Sequence, residues 1–101
     1  MDVNKCILTG TVVRIRDRGI IAGEKACEFV LALRFDTEKR TDCLHIPIFA
    51  RGSIGEQCAH ELDVERRVAV LGEINVRRGR LQRIEAISLR VESARKKTKR
   101  N

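Results

Sequence analysis

Apolar and polar residues alternate with a period of two along most of this chain, as expected of strands with one buried face. Residues 25–36, KACEFVLALRFD, show it most cleanly. Cys27, Phe29, Leu31, Leu33 and Phe35 fall on one side, and Glu28, Val30, Ala32 and Arg34 on the other. An earlier run, 4–16, is long and β-branched, and Gly10 interrupts it where a bulge or sharp bend is expected. Two glycines make 16–24 a loop, and the polar DTEKRTD at 36–42 is a second connection. Residues 42–52 form a third strand, 65–76 a fourth and 80–92 a fifth, the last two joined by a tight turn at Arg78-Gly79. Residues 52–62 depart from the period of two. Ile54, Cys58 and Leu62 recur there at helical spacing, and Ser53 precedes Glu56 as in a capping box.

The third strand, within DCLHIPIFARG (42–52), has a feature of its own. Leu44, Ile46 and Ile48 alternate as inward residues, while Cys43, His45, Pro47 and Phe49 point the other way. Pro47 cannot donate to a ladder, so its strand is expected to be incompletely paired. Three strands, a helix and two strands, with a glycine-bent first strand, is the order of the OB-fold. That fold is an all-β, five-stranded Greek-key barrel with one short helix between strands three and four. A sandwich would need more strands and a split β-α-β fold a second helix.

Charge then separates the chain into two parts. The net charge is +7, but SARKKTKRN at 93–101 holds Arg95, Lys96, Lys97, Lys99 and Arg100 without an acid, leaving +2 on residues 1–92. The expected organisation is an OB-fold domain over 1–92 and a basic, disordered tail over 93–101 that meets a polyanion or only keeps the protein soluble. Four cysteines at 6, 27, 43 and 58 fit no paired zinc motif, and Cys58 with His60 is a weak hint of one. They read as packing thiols in a reducing compartment, with no cofactor and no metal expected. No stretch approaches the length of a membrane span, and MDVNKCILTG has no secretory pattern, so the cytoplasm is the expected location.

Three stretches carry a family likeness: LTGTVVR (8–14), CEFVLALR (27–34) and IPIFARG (46–52). Together with VAVLGEI (68–74) before a basic hairpin, they are similar to the bacterial single-stranded-DNA-binding (SSB) protein family, in its primosomal replication protein N (PriB) branch. The resemblance spans roughly residues 3–92. It implies a dimeric OB-fold that binds single-stranded DNA and helps restart replication forks, in contact with the restart helicase and other primosome proteins. It also places Phe49 where the family has a stacking phenylalanine and Arg34 at an arginine of the binding surface. The family's stacking tryptophan falls near Cys43, and the chain has no Trp or Tyr at all. The basic tail is a second departure, since larger members end in an acidic one.

With only Phe29, Phe35 and Phe49 as aromatics, binding is expected to lean on charge. Phe29 reads as core, Phe35 closes its strand beside Arg34 and is either a nucleic-acid-binding ring or a core ring, and Phe49 is either a stacking ring or a core ring. Lys39 and Arg40 lie in the loop after strand two, and Arg77, Arg78, Arg80 and Arg83 crowd the last hairpin without an intervening acid. These would clamp phosphates, or simply solvate a hairpin. His45, Phe49 and Arg51 share the outward face of strand three, where His45 could equally be an ordinary surface histidine. No nucleophile–base pair or phosphate-cradling loop with its lysine is present, so an enzyme is not expected. Besides single-stranded-DNA binding, two readings stay open: an OB-fold assembly module with a vestigial groove, and an RNA-binding OB domain. The first strand, apolar on both faces over 4–15, is the expected dimer contact.

Overall fold

The computed structural model describes residues 2–92. Five strands, β1 (Cys6–Ile21), β2 (Glu24–Asp36), β3 (Thr41–Arg51), β4 (Arg67–Arg77) and β5 (Arg80–Val91), close into one barrel in the order β1-β2-β3-β5-β4. The helix α1 (Ser53–Glu61) stands between β3 and β4, and the fold is an OB-fold, as the sequence pattern predicts. The expected tail at 93–101 lies outside the described residues. Among the described residues, no helix is long and apolar enough to cross a membrane.

The core is the inward parity of the strands. Val12, Cys27, Phe29, Leu31, Ile46, Ile48, Ala50, Val68, Val70, Ile84 and Leu89 pack together with Cys58 and Leu62 from the helical segment. Phe29, Leu31 and Ile48 are fully buried, in keeping with the alternation of KACEFVLALRFD. Helix α1 packs against β2, β3 and β5 and covers one end of the barrel. Gly55 allows this close seating, because a Cβ there would lie 2.6 Å from the Lys25 carbonyl oxygen. Cys58 is buried in the core while His60 is exposed, so the two residues face different surroundings. Among the described residues, no group of three or more His, Cys, Asp or Glu side chains is placed to hold a metal ion.

Strand β1 serves two partners. Residues 6–11 pair with β4, and residues 11–21 pair with β2. Gly10 lies just before this exchange, where β1 crosses β2 so closely that a Cβ would sit 2.4 Å from the Ala32 carbonyl oxygen. The ladder is regular at Gly10 itself, and the two register shifts follow it, between Val12 and Arg14 and between Ile15 and Asp17. The glycine thus provides clearance and the bulges provide the bend. The expected loop at 16–24 is instead a hairpin: β1 continues to Ile21 and turns through Ala22 (φ 53°) and Gly23 (φ 83°) into β2. Gly19 lies within this strand, paired with Ala26, which pairs in turn with Arg51 of β3.

The Arg78-Gly79 turn forms as expected, with both residues at positive φ (55° and 76°) and Arg77 facing Arg80 across it. The capping box does not form. Gly52 is the N-cap, with φ 65°, no side chain caps the helix, and the Glu56 amide donates to the Gly52 carbonyl. The Gly52 amide donates to the Lys25 carbonyl at 2.9 Å, and with this tie to β2 the N-cap lies one residue ahead of Ser53, which becomes the first residue of the helix.

Candidate nucleic-acid interface

Strand register determines which side chains share the outer face of the barrel. Between β2 and β3 the outward pairs are Arg34 with Cys43, Ala32 with His45, Val30 with Pro47, Glu28 with Phe49 and Ala26 with Arg51. Strand β1 adds Arg14 opposite Val30. A groove of about 350 Å³ lies on this face, lined by Val13, Arg14, Arg16, Val30, His45 and Pro47. The incomplete pairing inferred from Pro47 is present. Beyond β2, among the described residues β3 pairs only with β5, in parallel, at Ile48 with Ile84 and Phe49 with Glu85.

That short parallel contact builds the most ordered part of the face. Phe49 is only 7% exposed, yet it is not a member of the barrel core. It lies outside the barrel wall beneath two arginines, with the Arg83 guanidinium 4.2 Å from the ring centroid and that of Arg51 at 5.8 Å. Glu85 holds both cations: Arg83 Nε donates to Oε2 at 2.8 Å, and Arg51 Nη2 lies 3.8 Å from Oε1. The Asn75 amide donates to the same Oε2 at 3.2 Å, fixing the carboxylate from β4. Phe49 is therefore both a buried ring and part of the candidate surface.

The remaining residues lie around this centre. Lys39 and Arg40 are exposed on the β2–β3 turn, where the Thr37 hydroxyl accepts from both of their amides, at 3.3 and 3.1 Å. Arg40 pairs with Asp42 at 3.0 Å and Arg34 with Asp36 at 3.1 Å. These side chains are more than half exposed, so each pair is worth no more than about 1 kcal/mol and a phosphate could displace the acid. The Thr41 hydroxyl first, and the Arg34 guanidinium second, hold the Asp36 carboxyl below its ordinary value. The stabilisation of this clasp is therefore present at neutral pH and is lost only as acid brings the pH down through that lowered value.

Arg77, Arg78 and Arg80 are exposed at the tip of the β4–β5 hairpin, and no ion pair engages them among the described residues. Arg77 and Arg80 face each other directly, a like-charge pair that an anion would relieve. Phe35 has the parity of Phe29 and Leu31, on the opposite side of β2 from Arg34, and is 49% exposed near the end of that strand. The structure therefore brings Arg34, His45, Phe49, Arg51 and Arg83 to one face, with Lys39 and Arg40 on the turn leading into β3 and Arg77, Arg78 and Arg80 at the turn leading into β5. It does not bring Phe35 there. Sequence reading missed Arg14, Arg16, Asn75 and Glu85. Glu85 could have been found, because it stands two residues from Arg83 in one strand and so on the same face.

Comparison with solved structures bears on this geometry. A small single-stranded DNA-binding protein from Streptomyces coelicolor superposes with a TM-score of 0.75 at 21% identity, covering 94% of this chain and 98% of that one. Two structures of the protein priB from Ralstonia solanacearum superpose with TM-scores of 0.70 and 0.72. Their identities are 16% and 14%, and they match 90% and 91% of this chain over 100% of theirs. The chain shares the fold of SSB-like and PriB proteins. No protein-family model and no curated protein matches the sequence.

Proposed function

We propose that this protein is a non-catalytic single-stranded-DNA-binding protein of the PriB/SSB type, acting in the cytoplasm in DNA replication or primosome-dependent replication restart. The observation that carries the reading is the Phe49–Arg83–Arg51 cluster on the outer face of β3 and β5, together with Lys39, Arg40, Arg77, Arg78 and Arg80 on the turns that lead into those two parallel strands. A planar, cationic centre with further exposed cations at the start of the same strands suits a nucleic-acid strand whose bases are unstacked and whose backbone is anionic. The fold shared with the Streptomyces coelicolor and Ralstonia solanacearum proteins supports the same reading, while work beside a restart helicase and other primosome proteins rests on the resemblance of the sequence stretches alone.

Fluorescence anisotropy with labelled oligo-dT, oligo-rU and duplex DNA at two salt concentrations tests it. Oligo-dT should bind more tightly than duplex, and its affinity should fall steeply with salt. Tighter binding of oligo-rU would move the protein to the RNA-binding OB domains. No detectable binding of oligo-dT at low salt would leave the assembly module. One observation favours that second reading: Ile7 is 76% exposed on β1, with Thr9 also exposed on the same side. The two readings share a homodimer in which this strand meets its copy. At micromolar concentration, sedimentation should give twice the chain mass of 11.5 kDa, and a mass of one chain would remove the dimer.

A further inference from the structure

Phe49 does not present its ring to solvent. With 7% exposure it lies under Arg83, whose guanidinium is 4.2 Å from its centroid. A base could reach the ring only by displacing Arg83, which would break the contact with the ring and the 2.8 Å bond from Nε to Glu85 together. We propose that a nucleobase of single-stranded DNA stacks on the outer face of the Arg83 guanidinium, with Phe49 as its seat and Glu85 as the residue that sets its plane. This inference rests on the single-stranded-DNA reading above and specifies which group meets the base.

The chemistry fits the arrangement. A guanidinium is planar, weakly hydrated and stacks on π systems from either face, so one side can take Phe49 and the other a base. The Arg83 side chain keeps 28% of its surface exposed although the ring lies against it. Glu85 engages the Nε edge, and the two Nη groups donate no hydrogen bond among the described residues. They remain for a backbone phosphate, so one side chain can stack and neutralise at once. Glu85 is a positioning residue, itself held by the Asn75 amide at 3.2 Å. Bases in a duplex are already stacked on each other, so such a platform favours single strands.

The test compares oligo-dT with an abasic oligomer of the same length and charge, by anisotropy. The wild-type protein should prefer oligo-dT. Arg83→Lys keeps the charge and removes the plane, so that preference should fall about tenfold while the dependence on salt stays as it was. Glu85→Gln should lower the preference severalfold, an effect that loss of stability alone would not give, and thermal unfolding of both variants checks that they fold. An Arg83→Lys variant that keeps the wild-type preference, or binds oligo-dT more tightly, would mean that the base stacks on Phe49 after the arginine moves away. Equal binding of both oligomers by the wild-type protein would remove the platform and leave DNA binding standing. Binding of neither would remove both.

Discussion

Phe49→Ala should lower unfolding free energy by about 3 kcal/mol and weaken binding of single-stranded DNA severalfold in the same variant. The stability loss follows from burial: the ring is 7% exposed, and emptying a buried phenylalanine site commonly costs about 3–5 kcal/mol. The low end applies because Phe49 lies outside the barrel core under arginine side chains. Water and those flexible side chains can fill part of the space, whereas a void among Phe29, Leu31 and Ile48 would have no such relief. The binding loss has a different origin. Without the ring, Arg83 keeps its tie to Glu85 but loses the aromatic surface on which its guanidinium rests. Chemical denaturation and oligonucleotide affinity measured on the same preparation separate the two effects. A stability loss with unchanged affinity would restrict Phe49 to packing, and unchanged stability would contradict its burial.

Reversing charge at the hairpin tip, with Arg77→Glu and Arg78→Glu together, should reduce affinity for every single-stranded sequence by on the order of tenfold at low salt. Each phosphate contact contributes a slope of about −0.7 in log K against log salt, so losing two should flatten the slope by about 1.4. Stability should move the other way, or not at all. Arg77 faces Arg80 across the turn, and a carboxylate at 77 would turn a like-charge pair into an attractive one worth a few tenths of a kcal/mol. Opposite movement of stability and affinity is the signature of residues placed for a ligand rather than for the fold. A salt slope that stays unchanged in the double variant would take the hairpin out of the interface.

Much of this architecture was legible in the order of residues. The alternation in KACEFVLALRFD placed Phe29 and Leu31 inside and Arg34 outside, because successive side chains on a strand must point to opposite faces. Arg78-Gly79 announced its turn, since a two-residue hairpin needs positive φ and the pair supplies it. The same local rules put His45, Phe49 and Arg51 together on the outer side of β3.

Where residues distant in the chain determine the outcome, local rules stop short. Gly19 looked like a loop residue, but its pairing with Ala26 keeps it in a strand. Ser53 looked like a cap, but the Lys25 carbonyl on another strand holds the Gly52 amide and the N-cap falls one residue earlier. The arginines of the last hairpin looked free of acids, but Glu85, just past the cluster, takes Arg83 and draws in Arg51 from β3. The covering of Phe49 is the clearest case. It depends on β3 meeting β5 in parallel at only two positions among the described residues, a contact that exists because Ile48 and Ile84 share one core inside the barrel. Sequence by itself determined the strands, their faces and the basic character of the outer surface, because each follows from backbone geometry over a few residues. Only the closed barrel decided that an aromatic ring would lie beneath a guanidinium, because that depends on packing between strands far apart in the chain.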